Sequence, residues 1–307
     1  GMGKCCVSGA GAINVDYKTR TVEIEGITLK EGDFISLNGT TGEVYKGKVE
    51  TKAAEVSGDF AALMDLCNKY TKLNVRTNAD TPHDAEVARA FGASGIGLCR
   101  TEHMFFDAEK IVAMREMILS PDVEGRRKAL AKLLPYQKAD FKGIFKAMDG
   151  CPVNVRLLDP PLHEFVPHDT KGQQEMADTM GVSLQYIQQR VESLCEHNPM
   201  LGHRGCRLGN TYPEITEMQT QAILGAAIEL KKEGYDPHPE IMVPLTGILY
   251  EFEAQEKVIR DAAAALFEKE GVVLVKEPGD DDLLKEYPLD FITFSYYRTT
   301  TVNANTK

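Results

Sequence analysis

From residue 74 onward the spacing of apolar residues switches back and forth between a period of two and a period near 3.6. No other feature of the chain constrains its fold as tightly. Residues 74–80 read as a strand with a polar end. Thr81 and Pro82 then open a helix running to about Phe91, with Thr as cap and Pro at the first helical position. Residues 95–100 form the second predicted strand, small and apolar enough to be covered on both faces. Helical spacing returns over 109–118 and 125–148. The third strand, 153–159, is stopped by Pro160 and Pro161, which cannot continue a ladder. A helix over 183–195, a polar loop, a helix over 213–232, a fourth strand over 240–245 and a helix over 250–270 follow. Four strand–helix units in series predict an α/β fold with a parallel sheet. Polar groups at the strand ends favour a (β/α)8 barrel over a doubly wound sheet, and four units make half of one.

The flanking segments lack this rhythm. Residues 1–52 are β-rich, with short strands predicted over 21–26, 33–39 and 41–47, and hold too little apolar material for a full core. Residues 53–72 read as a helical connector in which Phe60, Leu63, Met64, Leu66 and Cys67 make an apolar stripe. The half-barrel is expected over 73–270 and a divergent tail over 271–307. In that tail Asp280, Asp281 and Asp282 read as a solvated loop, not as a metal site. The opening Gly1-Met2-Gly3-Lys4 runs straight into Cys5 and Cys6, as a domain entered part-way would.

Composition removes several classes of function. The net charge of −11 leaves no basic excess to neutralise phosphates, which argues against a nucleic-acid binder. A few focused arginines can still hold a small anion locally. No apolar run approaches membrane-spanning length, and the opening residues do not read as a signal peptide. Seven cysteines without zinc-type spacing read as free thiols of a reducing compartment, so the expected localisation is cytoplasmic.

The chemistry is concentrated at strand ends. Arg76, Arg100 and Arg156 each fall on a predicted strand. Alternation places Asn154 and Arg156 on the face opposite Val153, Val155 and Leu157. In a barrel that face is the interior, where an unpaired guanidinium is costly, so Arg156 requires a carboxylate neighbour or an anionic ligand. The run from His197 to Arg207 adds Arg204 and Arg207 on a loop. Each arginine taken alone is as readily a structural ion pair. Arg100 and Arg156 at matching strand ends favour a site for a small ligand bearing carboxylate and phosphate, whose oxygens match guanidinium forks.

Three stretches carry a family resemblance. Gly95-Ile-Gly-Leu-Cys-Arg-Thr-Glu-His-Met-Phe105, Asn154-Val-Arg-Leu-Leu-Asp-Pro-Pro-Leu-His-Glu-Phe165 and the run from His197 to Gly209 closely resemble pyruvate, phosphate dikinase, a PEP-utilising enzyme. Residues 3–11 and 32–47 resemble the end of that family's swivelling phosphohistidine domain, and the likeness runs from residue 1 to about 270. The resemblance implies a phosphotransferase that interconverts ATP, phosphate and pyruvate with AMP, diphosphate and phosphoenolpyruvate (PEP) through a phosphohistidine. It implies PEP and pyruvate as ligands and Mg²⁺ as cofactor. ATP is engaged only through a domain not represented here, and the intact enzyme is a homodimer. Arg100, Arg156 and Arg204 match substrate-binding arginines. The carrier histidine belongs to a Thr-Ser-His-Ala-Ala stretch upstream of Gly1. The metal ligands and the proton-donor cysteine belong to the later half of the barrel, and nothing after residue 270 matches them. The isolated chain is therefore expected to be inactive, with His103, His163, His168, His197 and His203 in structural roles. Two alternatives stand beside this reading: a non-enzymatic truncated or frameshifted remnant, and a relative of phosphoenolpyruvate synthase or of enzyme I of the sugar phosphotransferase system. Both of those relatives carry different residues after the matching arginine.

Overall fold

The structure is a computed structural model describing residues 7–24, 26–39, 41–50, 58–196, 198, 200 and 202–273. Cys5, Cys6, His197, the Asp280–282 run and the tail from residue 274 lie outside the described residues. The chain divides into two compact units, residues 1–71 and residues 72–307.

In the first unit, β1 (Ile13–Asp16), β2 (Thr21–Ile24) and β3 (Ile27–Lys30) form an antiparallel sheet in that order. β4 (Ile35–Asn38) and β5 (Glu43–Lys46) form a separate antiparallel pair. Three of these strands coincide with the sequence expectation; β1 and β3, four residues each, are too short to stand out by alternation. Among the described residues of this unit only Leu29 is a buried apolar side chain. The stripe of helix α1 (Gly58–Tyr70) leaves Leu63, Met64 and Leu66 exposed.

The second unit carries the parallel sheet. Its elements are β6 (Thr77–Asn78), α2 (Pro82–Ala90), β7 (Ile96–Arg100), α3 (Ala108–Leu119), α4 (Val123–Ala147), β8 (Pro152–Arg156), α5 (Thr170–Met180), α6 (Leu184–Leu194), α7 (Gly205–Thr211), α8 (Pro213–Lys232), β9 (His238–Met242) and α9 (Leu249–Glu270). The strands lie in the order β6-β7-β8-β9, all parallel, as helical crossovers demand. Ile96, Cys99, Val153 and Val155 face one side. There they pack with Ala85 of α2, with Phe141, Ile144, Phe145 and Met148 in and just after α4, and with Ala222, Ile223, Ala226 and Leu230 of α8. A second cluster joins Phe105, Met114, Met117, Leu133, Phe165, Met176, Ile187, Leu208 and Ile215 beyond the strand ends.

Four expectations are corrected. The first strand shrinks from 74–80 to two residues, because only Thr77 and Asn78 pair with β7. The fourth strand begins at His238, opposite Pro152, and ends at Met242; Pro244 has no N–H to donate and Leu245 adopts a positive φ of 58°. β7 is covered on one face only, since Gly97 and Leu98 are half-buried. The polar loop before α8 contains a helix, α7, and Arg207 lies within it.

Close approach of neighbouring atoms explains Gly95, just before β7, and Gly97 within it. A Cβ on Gly95 would sit 2.7 Å from the Pro152 carbonyl oxygen, and one on Gly97 would sit 3.2 Å from Cβ of Arg76. The Arg76 side chain thus lies over these glycines, and its guanidinium reaches Glu240 of β9 at 2.6 Å. A flat sheet would hold β6 and β9 roughly 14 Å apart, three inter-strand spacings. An ion pair across that span requires the sheet to curl towards this face. Asn154, His238, Glu240 and Met242 share the concave side by strand alternation.

Candidate functional site

Arg100 and Arg156 close β7 and β8 and are direct partners in the ladder register. Their strand-end positions follow from what comes next. Thr101–Phe105 turns into a short 3-10 helix, while Leu157 and Leu158 lead into the Asp159-Pro160-Pro161 corner. Gln219 of α8 fixes both ends: its amide donates to Thr101 Oγ1 at 3.1 Å and its oxygen accepts from the Leu158 N–H at 2.9 Å.

Each guanidinium meets a carboxylate. Asp80, two residues beyond β6, accepts from the Arg100 backbone N–H at 2.7 Å, from Nε at 3.0 Å and from Nη2 at 2.6 Å. His103 Nδ1 adds a contact to the same carboxylate at 2.8 Å. Arg156 reaches Glu102 at 2.5 Å and Asp159 at 3.0 Å. Arg204, the residue that opens α7, reaches Asp159 at 2.7 Å. Glu102 thus serves Arg156 of the neighbouring strand and not Arg100, two residues before it in the chain. Arg76 does not join this rim. It precedes β6 at the opposite end of the sheet and is satisfied by Glu240.

Electrostatics account for the pairing. Three guanidiniums side by side repel one another, and Asp80, Glu102 and Asp159 interleave three opposite charges. Burial pushes the Asp80 carboxyl up, yet the hydrogen bonds from the Arg100 side chain and backbone outweigh it and hold the group below the usual carboxylate range. Arg100 is raised in turn, chiefly by its bond to Asp80. Burial drives the Cys99 thiol up, so it is held neutral beneath the rim. Among the described residues, Glu102 Oε2 and Arg156 Nε are buried without a hydrogen-bond partner. The histidines sit at the edge of this picture: His203 Nε2 contacts Thr211 at 2.9 Å, and His163 Nδ1 is buried without a partner.

Among the described residues no cluster of three or more His, Cys, Asp or Glu is arranged to hold a metal ion. The three carboxylates at the rim are engaged by arginines, so this donor set does not fit Mg²⁺. No described helix is long and apolar enough to cross a membrane.

Residues 54–277 match the family described as PEP-utilising enzyme, PEP-binding domain. The chain belongs to that family. Curated relatives are similar across most of its length. Pyruvate, phosphate dikinase of Giardia intestinalis is 55% identical over 91% of this chain and 32% of its own. That of Clostridium symbiosum is 53% identical over 88% and 31%, and the chloroplastic pyruvate, phosphate dikinase 1 of Oryza sativa subsp. japonica is 52% identical over 87% and 28%. The chain spans about a third of the length of these relatives. The carboxylate partners escaped the sequence reading. A search for an acid at the end of every strand carrying an arginine, or next to one, would have found Asp80 and Asp159.

Proposed function

We propose that this chain is the PEP- and pyruvate-binding part of a pyruvate, phosphate dikinase, and that Arg100, Arg156 and Arg204 bind the ligand. The observation that carries the proposal is the placement of Arg100 and Arg156 as register partners at the carboxyl ends of adjacent parallel strands, in a PEP-binding-domain chain. In α/β architectures that end of the sheet is where ligands bind. The ion pair from Arg76 to Glu240 supports reading the curled sheet as an arc of a (β/α)8 barrel, its first four units. The β-rich residues 1–52 are, in the same proposal, the end of a phosphohistidine domain joined through 53–72 to the barrel portion 73–270.

The chemistry assigned to these side chains is binding and orientation. The carboxylates fix each guanidinium through some of its N–H groups, and the remaining N–H groups are preset to receive carboxylate and phosphate oxygens without reorganisation. Mg²⁺ enters the proposal only through the likeness to the dikinase family, where it would neutralise charge on the phosphate. No step is assigned to it, since the rim carboxylates do not fit it. A cytoplasmic location and a homodimeric whole enzyme belong to the same proposal. The 307 residues alone are expected to bind PEP without turning it over.

Isothermal titration of the chain with PEP tests the reading. Arg100→Gln should weaken binding by about 10- to 150-fold, the loss of one charge-assisted interaction of about 1.5–3 kcal/mol. Unchanged affinity in this variant, or a wild-type chain that does not bind PEP, would sink the proposal.

A further inference from the structure

Asp159 occupies an unusual place among the carboxylates of the rim. It is 3% exposed, and its Oδ2 accepts from two arginines of different elements: Nη1 of Arg156 at 3.0 Å and Nη2 of Arg204 at 2.7 Å. Arg204 Nε also points to Asp159, with its carbonyl and Oδ1 both at 3.3 Å. The Asp159 carbonyl accepts the N–H of Gly205, the first residue of α7, at 3.0 Å. Pro160 follows, and a residue before proline is confined to extended backbone, so Asp159 has little freedom to follow a moving partner. From the other side, the Cys206 N–H donates to the Pro244 carbonyl at 2.9 Å, which docks α7 on the end of β9. One buried carboxylate thus fixes where a strand-borne guanidinium and that of the residue capping α7 meet.

We infer that Asp159 is the positioning residue that sets the spacing of Arg156 and Arg204, so that both donate to one anionic group of the ligand. Asp159 does not itself touch that group; it acts through Arg204, whose side chain it holds while its carbonyl holds the neighbouring Gly205 N–H. Two guanidiniums sharing one carboxylate oxygen lie close enough for a single phosphate or carboxylate to bridge their remaining N–H groups. The stronger hold falls on Arg204, which the described residues give no carboxylate besides Asp159, whereas Arg156 keeps Glu102. The identity of the ligand as PEP rests on the proposed function; the spacing of the two arginines does not.

The test uses the full chain and two readouts. In the first, PEP affinity is measured for wild type, Asp159→Asn, Arg204→Gln and the double variant. If Asp159 works through Arg204, D159N loses at least about tenfold in affinity and the double variant is no worse than about twofold below R204Q alone. Losses that multiply in the double variant overturn the inference, because a carboxylate acting only on global stability, or directly on the ligand, adds its effect to that of Arg204. In the second readout, the arginine side-chain nitrogen resonances of wild type are recorded without ligand. Restricted rotation is expected at Arg204, with separate Nη signals; freely averaged signals there overturn the inference, even if D159N does not fold. A wild-type chain that shows restricted Arg204 signals but does not bind PEP overturns the proposed function and upholds the spacing role of Asp159.

Discussion

Replacing Asp80 by Asn isolates one carboxylate of the rim and makes a prediction in which pH is the variable. The wild-type side chain is 8% exposed and accepts from three N–H groups of Arg100, one of them on the backbone, and from His103. Asn keeps one acceptor oxygen for the backbone N–H but turns an NH2 group towards the Arg100 donors. Charge-assisted hydrogen bonds contribute about 1.5–3 kcal/mol each, but not additively. Arg100 is 38% exposed and regains water when released, which holds the total near the bottom of the range for a broken buried pair. The expected loss at neutral pH is about 2–3 kcal/mol. Because the folded Asp80 carboxyl lies below its unfolded value, its contribution is fully present above about pH 4 and is lost as pH falls through the folded value. Urea denaturation of both proteins from about pH 6 down to about pH 3 should therefore give stability curves that converge on acidification, with equal m-values. A difference that stays constant across that range would refute the reasoning, since it would place the defect in packing and not in the ionised carboxylate.

Two further outcomes follow from the sheet. Gly95→Ala is expected to cost about 1–3 kcal/mol in thermal or urea unfolding, because its Cβ would press on the Pro152 carbonyl oxygen at 2.7 Å, a backbone atom that cannot swing away. Among the described residues β6 and β9 are the edges of the sheet, and unpaired edges invite pairing between molecules. The isolated chain should therefore sediment as a concentration-dependent mixture; a single sharp monomer boundary with cooperative melting would overturn that expectation.

The parallel sheet and its helices were legible because period-two and period-3.6 runs are long here, and proline and threonine punctuate them. Pro213–Lys232 matches its predicted bounds, and Thr81 caps α2 by accepting from the Asp84 N–H at 3.1 Å. What escaped were elements whose cause is tertiary. α7 holds Gly205 and Gly209, poor helix formers, because a Cβ at either would press on Pro244 and Leu245 or on Gln255 and Thr216. α5 is polar along most of its first turns and begins where the Asp169 carboxylate accepts the Gly172 N–H at 2.8 Å. At the site, alternation correctly turned Arg156 away from Val153 and Val155, and the demand for a neutralising partner was sound. Which carboxylate answers it is a matter of register between strands 20 and 54 residues apart in the chain, for Asp80 with Arg100 and Glu102 with Arg156, and no local pattern encodes that. The carboxylate that meets Arg76, Glu240, lies 164 residues away and is equally invisible to local pattern.

The tie between Arg76 and Glu240 has a mechanical consequence. It spans the open side of the arc like the string of a bow, joining the outermost strands where no backbone ladder does. Both side chains are partly exposed, at 36% and 45%, so the string is worth at most about 1 kcal/mol and slackens as salt is added. The tie therefore adds a small, salt-sensitive increment to a curvature that packing sets. The far end of the bow is the rim, where α7 hangs from both β8 through Asp159 and β9 through Pro244. Opening the arc would draw those two anchors apart, so a contact at the quiet end of the strands becomes a tension adjuster for the arginines at the other.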